Sequence, residues 1–220
     1  MGSGYIVQRV GGKDYSAFQA IVDDSLTEVT AEMLDGATKI SRYAFYECAN
    51  LISVDIPNGV ASIGDSAFFN CTSLTSVTIS NSVVSIGSSA FSQCRSLESV
   101  TIPNRVTYIY LNTFLLCTSL TNVTISSSVT NIMNNAFSSC TMLPSLTIPS
   151  GVTSIGNGVF NYCTLLTSVT VEATSPPTLG TGVFDGTHAD LVIYVPAESV
   201  ETYKAATNWS TYASKIQAIP

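Results

Sequence analysis

The sequence predicts a solenoid of stacked coils carrying one parallel β-sheet, with a short N-terminal cap and an α/β C-terminal cap. Three observations predict it. Phenylalanine recurs in steps of 23 at Phe45, Phe68, Phe91, Phe114, Phe137 and Phe160. All six cysteines keep the same step: Cys48, Cys71, Cys94, Cys117, Cys140 and Cys163. Apolar residues two apart, Val54 and Ile56 in the first full unit, return in every unit through Val169 and Val171. Self-similarity at a fixed period of this length marks a repeat architecture.

Each column of the unit has a place in the coil. Val54-x-Ile56 has period two, so both side chains lie on one face of a short strand. Leu51, Leu74, Leu97, Leu120, Leu143 and Leu166 lead into that strand. Val60, Ile63 and Ala67 are spaced three and four apart, which suits a helical turn or a compact loop for the return segment. One such coil cannot bury its apolar face alone. Stacked coils share ladder hydrogen bonds and a continuous core. Six or seven coils about 4.8 Å apart give a body roughly 30–35 Å long.

The unit A-F-x-x-C-x-x-L-x-x-V-x-I-[P/S]-x-x-V-x-x-I-G resembles leucine-rich repeats of the BspA-like (Treponema-type) class, from about Leu26 to Val171. The resemblance implies a leucine-rich-repeat solenoid in a cell-surface or secreted bacterial protein used in adhesion or binding. One column departs from better-known leucine-rich repeats. Their Asn/Cys ladder position is filled here by Gly59, Ser82, Arg105, Ser128 and Gly151, so no Asn ladder forms there. The segment Gly4 to Gly12, together with Thr27 to Met33, is also similar to repeat proteins of prophage-like context.

An open solenoid exposes an apolar coil at each end and needs caps. Residues 1–12 read as a flexible N-terminus. Residues 13–25 read as the N-terminal cap, because Tyr15, Phe18, Ile21 and Val22 share one face of a short helix over Asp14–Val22. Residues 26–171 form the solenoid, beginning with a degenerate repeat at Leu26 and Val29. Residues 172–220 form the C-terminal cap. Ser175-Pro176-Pro177 breaks the pattern, Leu191–Val195 reads as the final strand, and Pro196 opens a helix. Val200 and Tyr203 face inward on that helix, and Trp209, Tyr212 and Ile216 close the end of the core.

Composition excludes several functions. Charged residues are 10% of the chain, net charge is −7, and the eight Lys and Arg form no cluster, so a phosphate-tracking nucleic-acid binder is excluded. Apolar runs are far shorter than the roughly 20 residues of a membrane helix. The start, Met1-Gly2-Ser3-Gly4, has neither the basic nor the apolar region of a signal peptide, so either a leader has been removed or that route is not used. No C-x-x-C pair exists to build a metal site. The cysteines read as buried thiols, with a ladder of disulfides or a metal site as alternatives. His188 lies near Asp185 and Asp190, but no G-x-S-x-G elbow accompanies it, and it reads as structural or solvated. The sequons at Asn70, Asn122 and Asn208 are as frequent as chance allows. No catalytic, cofactor-binding or metal residues are assigned, no cofactor is expected, and the chain reads as a non-enzyme.

Two surfaces stand out. The outward strand columns run Ser53, Ser76, Ser99, Asn122, Ser145, Ser168 and Asp55, Thr78, Thr101, Thr124, Thr147, Thr170. Within them Ser76, Thr78, Ser99, Thr101, Asn122, Thr124, Ser145 and Thr147 make a candidate ligand face, able to present hydroxyls to a glycan or protein; the alternative is a solvated sheet face rich in Thr for its β-propensity. One coil carries Tyr108, Tyr110, Leu111, Leu115 and Leu116 where others carry Ser, Gly or polar residues. That set is a candidate contact patch or a drifted cluster that buries itself. The expected function is a surface adhesion or recognition module whose partner is a host or bacterial surface protein or glycan. The alternatives are a prophage or virion tail-associated receptor-binding module and an inert spacer.

Overall fold

The computed structural model describes residues 26–220 and, before them, the backbone of two strands, Val7–Gln8 and Ala17–Ala20. Those strands, β1 (Val7–Gln8) and β2 (Ala17–Ala20), pair antiparallel. Ala17–Ala20 is therefore extended where the spacing predicts a helix over Asp14–Val22, and it lies parallel to Lys39–Ile40 of the first repeat. The parallel ladder there rewards extended backbone over the helical face. The rest of the expected flexible stretch 1–12 and cap 13–25 lies outside the described residues.

Each repeat then contributes a strand to a first ladder and a shorter one to a second. These are β3 (Glu28–Val29) and β4 (Lys39–Ile40), β5 (Ser53–Ile56) and β6 (Ser62–Ile63), β7 (Ser76–Ile79) and β8 (Ser85–Ile86). They continue as β9 (Ser99–Thr101) and β10 (Tyr108–Ile109), β11 (Asn122–Thr124) and β12 (Asn131–Ile132), β13 (Ser145–Ile148) and β14 (Ser154–Ile155), β15 (Ser168–Val171) and β16 (Thr178–Leu179). The return segment thus contains a two-residue strand that places Ile63 and its equivalents inward, rather than a helical turn. Among the described residues eight coils, counting Ala17–Ala20, supply the second ladder, more than the six or seven the sequence suggests, because its first and last coils have lost the consensus.

A third side of the coil is a turn with two left-handed residues per repeat, such as Ser66 (φ 52°) and Asn70 (φ 57°), then Ser89 (φ 56°) and Gln93 (φ 62°). Such backbone is strained for residues with a Cβ. It is held because the N–H groups of Ser66, Phe68 and Asn70 donate to the carbonyls of Ser88, Ala90 and Ser92 in the next coil at 2.8–2.9 Å. Inside, the Phe column stacks from Phe45 to Phe184 with ring centroids 4.9–5.8 Å apart, beside fully buried Leu and Cys columns.

The far end closes with β17 (Val192–Val195), a 3-10 turn, the helix α1 (Val200–Ala205), the 3-10 segment Trp209–Lys215 and β18 (Ile216–Ala218). Tyr203, Trp209, Tyr212 and Ile216 are buried and Val200 packs on the core. The last strand is β18, which pairs parallel with β17. Side chains from this segment also satisfy backbone groups of the last coils. Trp209 Nε1 donates to Pro177 O at 2.8 Å, Asn208 Nδ2 to Leu179 O at 2.6 Å, and Tyr203 to Ala173 O at 2.7 Å.

Candidate functional site

The expected single sheet is interrupted on its first face. β3, β5 and β7 form one ladder, β9 and β11 a second, and β13, β15, β17 and β18 a third. Both breaks fall before a strand that is followed by proline, Pro103 or Pro149, whereas Ser80, Ser126 and Glu172 follow strands paired to the coil before them; Pro57 stands in the same column, but β5 keeps its pairing with β3. Ser80 N–H donates to Ile56 O at 3.1 Å and Glu172 N–H to Ile148 O at 3.0 Å. Pro103 and Pro149 have no N–H for Ile79 and Ile125. The Ser coils bind back instead: Ser82 Oγ donates to Val60 O and Ser128 Oγ to Val106 O, both at 2.7 Å. From Pro57 to Glu172 the coils are therefore joined in pairs, a Pro coil tied to the coil that follows it.

A second proline, Pro144, falls at the break between β11 and β13. Where Thr121 N–H donates to Glu98 O at 2.9 Å and Thr167 N–H to Pro144 O at 2.9 Å, Pro144 offers no donor to Thr121. Both ends of this ladder lose a rung. A cleft of about 360 Å³ opens there, lined by Asn122, Thr124, Ser145, Thr147, Ser168 and Thr170 together with Val123, Ile125 and Leu146. All eight candidate face residues, Ser76, Thr78, Ser99, Thr101, Asn122, Thr124, Ser145 and Thr147, are exposed, and Ser168 and Thr170 are half-buried. Asn122 stands opposite Ser99 and Thr124 opposite Thr101, while Ser145 and Thr147 stand opposite Ser168 and Thr170. The cleft thus gathers four of the eight. Pro149 is visible in the sequence as part of a Pro/Ser alternation that a single 23-residue consensus merges, whereas Pro144 stands in a column of unpatterned residues.

The second candidate surface sits elsewhere on the coil. Tyr108 and Leu111 are each 41% exposed, as is Met133 of the next coil, while Tyr110, Leu115 and Leu116 are half-buried. The Tyr108 and Tyr110 rings stack at 5.8 Å. The patch lies where the second ladder breaks, between β8 and β10. A Cβ on Gly64 or Gly87, in Tyr110's column, would come within 2.5–2.6 Å of the preceding coil's backbone. Met133 shares that column and keeps its N–H bond to Ile109 O at 2.8 Å, so a side chain there forces a shift that need not sever the ladder. A ladder of Asp and Asn side-chain acceptors, unseen in the sequence, also fails at this coil. Asp65 Oδ1 accepts from Ser88 N–H, Asn134 Oδ1 from Asn157 N–H and Asn157 Oδ1 from Thr181 N–H, whereas Leu111 has no acceptor to offer Asn134.

The cysteines are buried thiols. From Cys71 to Cys163 each Sγ donates to the carbonyl of the Phe 26 residues before it, at 3.1–3.4 Å. A hydrogen bond with the Cys48 thiol, then burial, raises the Cys71 pKa, and burial pushes Cys94 up to about 12. Buried, hydrogen-bonded thiols of this kind are poor nucleophiles. His188 Nδ1 accepts the Asp190 N–H at 3.2 Å, and Asp185 instead accepts from the Tyr212 hydroxyl at 3.1 Å. His188 is thus a loop residue bonded within its own turn. Among the described residues no cluster of His, Cys, Asp or Glu is placed to hold a metal ion, and no helix is long and apolar enough to cross a membrane.

Comparison with known proteins settles the class. The profile of the BspA type leucine rich repeat region matches six copies over residues 38–167. The chain belongs to the BspA-type leucine-rich-repeat family. Among solved structures this BspA-type chain is similar to a leucine rich cell surface protein from Faecalibacterium prausnitzii A2-165, with 26% identity, a TM-score of 0.57, and coverage of 87% of this chain and 69% of that one. The Treponema pallidum leucine-rich-repeat protein shares the fold at 24% identity and a TM-score of 0.54, covering 86% of this chain and 78% of that one. No curated protein matches the chain.

Proposed function

We propose that this BspA-type protein is a non-enzymatic binding scaffold, a cell-surface or secreted adhesion and recognition module that engages its partner through the first strand face. The observation that carries the reading is the run of exposed Ser, Thr and Asn side chains on the outward columns of β7, β9, β11 and β13, opened into a cleft beside β11. Solenoids use such extended faces for recognition, and a similar chain is described as a cell surface protein. The Tyr108, Tyr110 and Leu111 patch is a second contact surface, since exposed clustered aromatic and aliphatic groups anchor interfaces.

The test is binding of fluorescently labelled protein to cultured epithelial cells and to whole bacteria. Arg at Thr101 and Thr124 should abolish binding, since bulky charges then cover the face. Melting should change little, because exposed substitutions usually cost within about 0.5 kcal/mol each. Binding that survives both substitutions refutes the strand face as the site. Absence of binding to any cell supports the spacer alternative.

A further inference from the structure

We infer that the cleft between β11 and β13 is a binding site for a neutral oligosaccharide. This rests on the strand-face reading above and names the ligand class that the face takes.

Three features converge on that class. The first is the lining. Asn122, Thr124, Ser145, Thr147, Ser168 and Thr170 supply five hydroxyls and one amide, and no lining residue is charged. Every one of these groups both donates and accepts, as sugar hydroxyls do. The absence of Lys and Arg from the lining and a chain charge of −7 disfavour sulfated or sialylated chains.

The second feature is the backbone. Pro144 and Pro149 leave the carbonyls of Thr121 and Ile125 without the N–H that each equivalent carbonyl receives at a fully paired junction, where Ile52 O and Ile56 O accept from Thr75 and Ser80. Ladder carbonyls point toward the neighbouring strand, so these two face the break. Thr121 is exposed, but Ile125 is buried, and a buried carbonyl is costly to leave unpaired; a ligand hydroxyl can meet it.

The third feature is an adjacent ring. Thr170 pairs with Tyr194 on β17. Ile193 and Val195 are buried while Tyr194 is half-buried, which places Tyr194 in the outward column one strand beyond the cleft. A phenol ring beside a row of hydroxyls offers an apolar platform to the C–H face of a pyranose. A cleft of about 360 Å³ lies at the small end of the range for compact ligands. An extended peptide is the poorer occupant, because the outward columns of β11 and β13 hold no apolar pocket for its side chains.

The experiment applies the full chain to an array of neutral oligosaccharides, an array of sulfated and sialylated ones, and an array of overlapping peptides. Calorimetry then titrates N-acetyllactosamine, mannotriose and cellotriose. Retention on the neutral array and heat from at least one titrant are expected. Two variants locate the site. Asn122→Ala with Thr147→Val removes polar partners and should weaken binding by about tenfold or more. Pro144→Thr with Pro149→Ser restores both backbone donors without touching a lining side chain. It should close the ladder, raise the melting temperature and abolish binding. Retention on the peptide or anionic array alone overturns the proposal, as does neutral-glycan binding that both variants leave intact. Failure to retain neutral glycans also overturns it, while the wider strand-face reading is decided separately by the cell-binding assay.

Discussion

The indole N–H of Trp209 donates to the carbonyl of Pro177 at 2.8 Å, and the ring is fully buried against Tyr203 and Phe184. The bond ties the C-terminal segment to the coil in which the repeat pattern breaks. The apolar end of the Phe column is closed by the same residue.

Replacing Trp209 with Ala should cost about 3–5 kcal/mol, through the lost burial and the cavity left behind. Tyr212→Phe should cost about 1 kcal/mol, since its hydroxyl accepts from Phe184 N–H at 3.3 Å and donates to Asp185. Denaturant titration read by near-ultraviolet circular dichroism measures both. A Trp209→Ala protein as stable as the parent would show that this segment does not close the core.

The thiols should be inert in the native protein and stabilising only while protonated. Ellman's reagent should find few of the six cysteines in native protein and all of them after denaturation without reductant. Burial raises the folded pKa of Cys94 to about 12, above the unfolded value of about 8.5. Unfolding therefore releases a proton in the window between them, and stability falls as pH rises through it. The thiol contribution is present in full below pH about 8.5. A stability profile that is flat or rising from pH 8.5 to 11 would contradict the buried-thiol assignment.

The coil holding Tyr110 should gain stability from residues its neighbours already use. Leu111→Asn supplies an acceptor for the Asn134 N–H and extends the amide ladder that runs from Asn134 through Asn157 to Thr181. It should stabilise by about 0.5–1 kcal/mol and remove an exposed apolar side chain. A thermal melt checks the first effect. Sedimentation velocity checks whether self-association drops when Tyr108→Ser is added. Unchanged melting with unchanged association would mean that the patch is drift.

The paired-coil unit makes an asymmetric prediction for serines. Ser82→Ala and Ser128→Ala each remove a bond to the preceding Pro coil at Val60 and Val106 and should cost about 1 kcal/mol apiece. Gly151→Ser, in the same column of a Pro coil, should not stabilise. A Cβ on Gly151 would come within 2.8 Å of Ser127 O. Equal effects at all three sites, measured by urea titration, would argue for equivalent coils.

Much of this architecture was legible because side-chain burial repeats with the chain. The Phe, Cys and Leu columns identified the core, and the polar face followed from the period-two strands. What stayed hidden depends on backbone donors. Pro and Ser share one position of the repeat unit, yet only Ser carries an N–H, so the apolar pattern does not reveal that Pro103 and Pro149 stand at breaks in the sheet, and Pro144 lies in a column with no pattern of its own. The position of Ala17–Ala20 was hidden because its partner, Lys39–Ile40, lies in the next coil and leaves no local signal. The half-burial of Leu115 and Leu116 likewise depends on neighbouring coils.

The division of the sheet before the Pro103 and Pro149 coils is the basis of both the paired coils and the cleft, and residue-resolved amide hydrogen exchange tests it most directly. Thr78, Thr124 and Thr170 follow a paired junction, while Thr101 and Thr147 follow the breaks before β9 and β13. Protection should alternate along this single column, with Thr78, Thr124 and Thr170 slow and Thr101 and Thr147 faster by about tenfold or more. Uniform protection at all five threonine amides would show a continuous sheet and contradict the account.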